Sequence, residues 1–275
     1  MSFDIKKIIG LSTGFIAYTI LYLGKGIQKY AVEGFKDQGK VNVKDKNTGI
    51  WIIGTILTSI YMFIQWAALF LAPINLIAPI EAIGLIVLVI FSFYILKEDI
   101  SKLQIIGIGL IIIGTILITL FNVNSSEVEF NDFQIELFLI FSLTIIFIEF
   151  IAILISKLNN SKITGLILGI IAGTFMAFQT VTKRITAIPN SILSLTFTFI
   201  TFLFAILTLI MTQYAFTKAK ANVVVPCFTS ASIILAVLIS YITLNEIIVV
   251  SQIVGFVIIV FGIIFLTAFT SETKK

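Results

Sequence analysis

Histidine is absent from this 275-residue chain, and cysteine occurs once, at Cys227. The first absence excludes histidine proton relays and histidine metal ligands. The second excludes an internal disulfide and a cysteine metal cluster. Charge is scarce as well: 12% of residues are Asp, Glu, Lys or Arg, against about 25% in a soluble domain. No nucleophile–base pair, glycine-rich phosphate loop or metal-ligand cluster is present, so the sequence predicts neither an enzyme nor a bound cofactor. What the chain has is apolar bulk, with 59% hydrophobic residues and a mean hydropathy of +1.15. Its formal charge of +4 does not point to nucleic acid, because the basic residues sit between apolar runs, where membrane topology places them.

Crossing a hydrocarbon core takes about 20 mostly apolar residues in a helix. Nine runs qualify, at roughly 8–31, 50–72, 75–96, 103–121, 134–156, 163–183, 191–214, 221–243 and 250–270. Backbone polar groups in lipid must be satisfied internally, which leaves helices or closed barrels. Barrel strands alternate apolar and polar residues, and stretches such as 105–113 do not. The expected fold is therefore all-α, a polytopic membrane protein of about nine transmembrane helices. The first run continues through Lys25 and Lys29 without a small-residue cleavage site, unlike a signal peptide. The longest hydrophilic stretch, about 32–49, reads as a charged loop too short for a domain.

Lysines set the orientation. Lys36, Lys40, Lys44, Lys46, Lys97, Lys102, Lys157, Lys162, Lys218, Lys220, Lys274 and Lys275 share one side. Lys6, Lys7, Lys183 and Arg184 fall on the other, with the acidic loop of Glu127, Glu129 and Asp132. The richer side reads as cytoplasmic. This predicts a cell-membrane protein with its N-terminus outside and its C-terminus inside.

The chain also repeats itself. Asn75-x3-Pro79 recurs as Asn222-x3-Pro226. Ser92, Leu96, Glu98, Gln104, Gly107 and Gly114 then match Ser240, Leu244, Glu246, Gln252, Gly255 and Gly262. The copies fall on the third and fourth runs and on the eighth and ninth. An offset of five spans makes them run oppositely through the bilayer, the inverted-topology build of many secondary transporters. The expected halves are 1–124 with four helices and 125–275 with five, in a single integrated membrane domain.

Several in-membrane residues are candidates for a substrate path. Each proline lacks an amide donor and crowds the carbonyl four residues earlier, which belongs to Asn75 or Asn222. Pro79 and Pro226 are thus either gating helix breaks beside a polar spot or simple first-turn prolines. Glu81 lies inside an apolar run, and an ionisable group there usually faces a bundle interior or a wet cavity. It reads as a cation or proton site, or else as an interfacial carboxylate. Glu149 lies nearer the cytoplasmic end, while Glu98 and Glu246 read as solvated helix ends. Gln65, Gln179 and Gln213 either line the path or join helices by hydrogen bonds. Lys25 reads as snorkelling to the headgroups. Thr196, Thr198, Thr201 and Thr208 line a path or bond their own helix backbone. The small-residue faces at Gly165-x3-Gly169-x3-Gly173, Gly107/Gly114 and Gly255/Gly262 permit close helix packing, within one bundle or in a homodimer.

The stretch from Ala68 through Ala72-Pro73, Asn75 and Pro79, followed by Ser92-Phe93-Tyr94-Ile95-Leu96-Lys97-Glu98, resembles the hallmark helix pair of the drug/metabolite transporter superfamily. The block from Tyr214 through Pro226 to Glu246 and Gly262 resembles its second copy. The nine-span plan with an outside N-terminus is similar to the NIPA-type magnesium transporters. One position departs from that branch, whose pattern continues Pro-Leu-Gly-Ala where this chain has Pro79-Ile80-Glu81-Ala82. The resemblance implies alternating access, with Mg2+ as substrate and the bilayer as surroundings. Mg2+ is held by one or two carboxylates while keeping several waters, a role open to Glu81 as metal ligand, with Gln65 and the Asn75 region beside it. The competing readings are a proton-coupled exporter of small metabolites, of the EamA type, and a non-transporting membrane scaffold.

Overall fold

The computed structural model describes residues 5–35, 41–98, 101–120, 133–158, 163–188, 191–246 and 248–268. Among these residues nine helical rods are seen: α1 (Ile5–Gly34), α2 (Val41–Leu71), α3 (Ile74–Leu96), α4 (Lys102–Leu120), α5 (Ile135–Leu158), α6 (Thr164–Ile185), α7 (Ser191–Lys218), α8 (Ala221–Leu244) and α9 (Val250–Ala268). Among the described residues, seven are long and apolar enough to cross a membrane, and two shorter apolar helices lie in α4 and α9. The chain is thus an all-helical polytopic membrane protein. The stretch 32–49, expected as a loop, is largely helix, because α1 runs to Gly34 and α2 starts at Val41. Polar helix ends that project past the hydrocarbon carry loop-like composition. Here buried Asn47 packs against Gly34 and joins the two ends.

Burial sorts the rods. In α6 and α8, 78% of the apolar window is buried, and in α3 67%, whereas α5 and α7 reach only 11%. The first three therefore form the centre, and the last two present Ile, Leu and Phe outward. The Gly165, Gly169 and Gly173 face of α6 lies against Ala219, Val224 and Phe228, so this small-residue stripe is used inside the bundle. Helices α4 and α9 cross through matched glycines. A Cβ on Gly114 would lie 2.6 Å from the Gly255 carbonyl oxygen, and one on Gly262 would lie 2.7 Å from that of Gly107. The crosswise pairing makes the two helices antiparallel.

Helix α3 is discontinuous. An α-turn at Ile74–Ile77 gives way to a 3-10 turn at Ala78–Ile80, where Pro79 removes a donor, and regular helix resumes at Glu81. A π-helical turn, Ser92–Leu96, ends the rod. The second copy differs: α8 stays helical through Pro226, so the break expected there occurs only at Pro79. Pro226 is six residues into α8, beyond the first turn, so neither a clean break nor a simple first-turn proline describes it.

Both α3 and α8 stop in the same way. Lys97 and Asn245 adopt left-handed backbone, with φ of 53° and 51°. The next residue's amide then bonds back across the turn, Glu98 to the Ser92 carbonyl at 3.1 Å and Glu246 to the Ser240 carbonyl at 3.4 Å. Each bond closes seven residues, 92–98 and 240–246, one more than the six of a Schellman stop.

The lysines Lys36, Lys40, Lys162, Lys274 and Lys275, and the acids Glu127, Glu129 and Asp132, lie outside the described residues.

Candidate functional site

The glutamates that follow those stops are not solvated ends. Glu98 and Glu246 are 6% and 4% exposed. Glu98 accepts from the backbone amides of Ala221 and Asn222 at 3.0 and 3.1 Å, at the start of α8. Glu246 accepts from those of Ile74 and Asn75, both at 3.3 Å, at the start of α3. Each copy thus caps the orphan amides of the other. Matching cations sit nearby. Lys29 donates to the carbonyls of Phe216 and Ala219, just before α8. Arg184 donates to the Leu69 carbonyl, just before α3, and lies 3.7 Å from Glu246. Burial pushes both carboxyls above their ordinary range. The backbone bonds pull the other way, helped by Lys29 at Glu98 and by Arg184 at Glu246.

A buried polar layer lies between these two ends. Glu81, 1% exposed, accepts from Ser232 at 2.6 Å and from Tyr22 at 3.3 Å, and Tyr22 also bonds Thr229. Gln65 donates to Tyr18 at 2.9 Å and to Thr180 at 3.2 Å, and it accepts from the Lys183 ammonium. Lys25, over the Tyr22 ring, and Lys183, bonded to Gln65, bring two basic side chains into this layer. Removing one member of such a buried charged set leaves the others uncompensated.

Beside this layer is a cavity of about 360 Å³ among α1, α2, α6, α7 and α8. Lys25, Gln28, Thr58, Gln179, Thr208 and Thr212 supply its polar spots, and apolar side chains such as Phe202 and Phe228 supply most of its wall. Gln213 reaches the cavity indirectly, donating to Gln28 at 2.8 Å and accepting from Trp51 at 3.0 Å.

The predicted site residues are therefore spread over three places. Gln179, with Gln213 behind Gln28, belongs to the cavity. Glu81 and Gln65 belong to the buried polar layer, while Asn75 and Asn222 mark its two ends. Asn222 sits at the start of α8 and Asn75 is bonded just past its end. The 24 residues of α8 at about 1.5 Å each put them roughly 36 Å apart. Glu149 is half-buried on the outer helix α5 and accepts from Thr174. Thr196 and Thr198 bond their own helix backbone, and Thr201 bonds Thr182.

Sequence reasoning missed the cations. Lys25 does not snorkel; it is 3% exposed, over the Phe228 ring. Lys183 and Arg184, read as loop charges, are buried in the last turn of α6. The available signal was that α1 and α6 carry basic residues at matching ends, Lys29 and Arg184. Tyr18, Tyr22, Thr229 and Ser232 carried no signal, being ordinary residues in apolar runs.

Among the described residues, no group of three or more His, Cys, Asp or Glu is placed to hold a metal ion. No solved structure matches the chain. A 71-residue stretch, 26% of the chain, is 37% identical to "Uncharacterized protein MJ1333.1" of Methanocaldococcus jannaschii, and the match covers 52% of that protein. The chain thus spans about half the length of this curated relative. The profile of the family described as "Magnesium transporter NIPA" matches residues 7–273. With nearly the whole membrane bundle inside that match, the chain belongs to the NIPA magnesium transporter family.

Proposed function

We propose that the chain carries a divalent cation such as Mg2+ across the cell membrane by alternating access, as a member of the drug/metabolite transporter superfamily. The two halves, 1–124 and 125–275, rock about the cavity, with the N-terminus outside and the C-terminus in the cytoplasm. The observation that carries this reading is a polar-spotted cavity among α1, α2, α6, α7 and α8 in a chain from a magnesium transporter family. Mg2+ gives up its waters reluctantly. At about 30 Å³ per water, a six-water shell needs roughly 180 Å³, which fits within the 360 Å³ cavity. The neutral oxygens of Gln28, Thr58, Gln179 and Thr208 suit the outside of such a shell. Glu81 supplies the negative charge behind it. The paired glutamate caps support a cycle in which one end loosens while the other stays closed.

A second reading keeps the architecture and moves a small organic metabolite in exchange for protons. The apolar wall of the cavity, including Leu21, Phe63, Phe202 and Phe228, favours it. Flux in proteoliposomes across Mg2+, other divalent cations and small metabolites separates the two. The cation reading expects saturable Mg2+ uptake that falls at least about tenfold in Glu81→Gln, the scale of losing a group that supports a metal site. Unchanged uptake in that variant removes Glu81 from the mechanism. Metabolite flux driven by a proton gradient, without Mg2+ flux, replaces the first reading with the second.

A further inference from the structure

Lys25 stands apart from the other buried cations. Lys29 donates to two backbone carbonyls, and Lys183 donates to Gln65. The Lys25 Nζ is buried without a hydrogen-bond partner among the described residues, and it lines the cavity. Thr208 and Thr212, across the same hollow, carry buried hydroxyls that also lack partners among the described residues. A buried ammonium with no acceptor bears a desolvation cost that a neutral amine avoids. Glu81 on α3 and Tyr22 on α1 are the titratable groups beside Lys25, Tyr61 on α2 lines the same cavity, and Tyr18 on α1 and Lys183 on α6 face Glu81. On the cavity side, α7 presents Thr208 and Thr212, and α8 presents Phe228.

A dication and an ammonium repel strongly inside one low-dielectric hollow. Lysine, unlike arginine, can shed its charge. We infer that Lys25 is a proton site that exchanges with the transported cation. In the empty cavity Lys25 holds its proton, with Glu81 as countercharge. When the divalent cation enters, the Nζ–H bond breaks, the proton leaves to water, and the nitrogen lone pair accepts from the cation's hydration shell. Glu81 then balances the entering ion. The protein is accordingly a cation/proton exchanger. This inference rests on the cation reading above.

The test is calorimetric titration of the purified full chain with Mg2+, in two buffers of different ionisation enthalpy. The wild type is expected to release about one proton per ion bound, the linkage required when one site exchanges its ligand. Lys25→Met is expected to bind Mg2+ without proton release. Lys25→Arg, whose charge is permanent, is expected to weaken Mg2+ binding at least about tenfold. A merely structural lysine would not split these two variants in opposite directions. Mg2+ binding by the wild type without proton release overturns the proton site alone. So does equal release from Lys25→Met, or wild-type affinity in Lys25→Arg. Absence of Mg2+ binding by the wild type overturns the cation reading, and the proton site with it.

Discussion

Glu98 and Glu246 hold equivalent positions in the two copies, and each caps the opening helix of the other copy. Glu98 holds Ala221 and Asn222 at the start of α8, and Glu246 holds Ile74 and Asn75 at the start of α3. Their settings differ in one respect. Near Glu98, Lys29 also pairs with Glu33 at 3.2 Å, so it keeps a carboxylate if Glu98 is lost. The Arg184–Glu246 pair is buried on both sides, at 3.7 Å. Glu98→Ala should therefore cost about 1–2 kcal/mol, the scale of a lost cap. Glu246→Ala should cost about 3 kcal/mol or more, because it also breaks a buried ion pair with Arg184. Thermal melting in detergent, followed by tryptophan fluorescence, ranks the two. Equal losses would show that the Arg184 pair adds nothing.

Lys97 adopts left-handed backbone, where a Cβ crowds the following carbonyl at a cost of roughly 1–2 kcal/mol. Its counterpart Asn245 tolerates that conformation better. Lys97→Gly should raise the melting temperature, by the equivalent of about 1 kcal/mol. Asn245→Gly should change it less. A loss of stability in Lys97→Gly would mean that the lysine side chain does more at this turn than the backbone strain takes away.

The membrane architecture is legible in the sequence because bilayer thickness fixes the length of each apolar run. The polar ends of α1 and α2 are not, since helix outside the hydrocarbon has the composition of a loop. Glu81 stands out because a carboxylate among apolar residues is conspicuous, and it is indeed buried. Its partners Tyr22 and Ser232 are invisible, because only tertiary packing brings α1 and α8 to α3. The Glu98/Glu246 pair is legible as a repeat, yet what each carboxylate meets lies about 120 or more residues away in the chain. A lysine near the end of a run always permits snorkelling. Only the neighbouring Gln65 and Phe228 show that Lys183 and Lys25 point inward.

Close approach of α4 and α9 depends on glycine at their crossing. At Gly114 an added methyl would meet the Gly255 carbonyl oxygen at 2.6 Å, and backbone cannot step aside cheaply. Gly109, on the same helix, has nothing within 4 Å of a built Cβ. Gly114→Ala should lower stability by about 1–3 kcal/mol, as overpacking does. Gly109→Ala should raise it by about 0.5–1 kcal/mol through helix propensity alone. Melting curves of the two variants check this on one helix. Matching effects would show that the crossing yields freely.

Finally, the caps make stability depend on pH. Burial raises the Glu98 and Glu246 carboxyls above their ordinary range in the folded chain, while the unfolded value stays near about 4.3. The folded state therefore holds these protons more tightly than the unfolded state. By linkage, the stabilisation is fully present below the unfolded value and is lost as pH rises through the folded values. The wild type should lose melting temperature as pH rises above the unfolded value of about 4.3. A Glu98→Gln/Glu246→Gln variant, neutral at every pH, should show a flatter profile. A wild-type melting temperature that climbs relative to that variant over the same window would reverse the sign. The backbone amides, with Lys29 and Arg184, would then outweigh burial in favouring the ionised carboxylates.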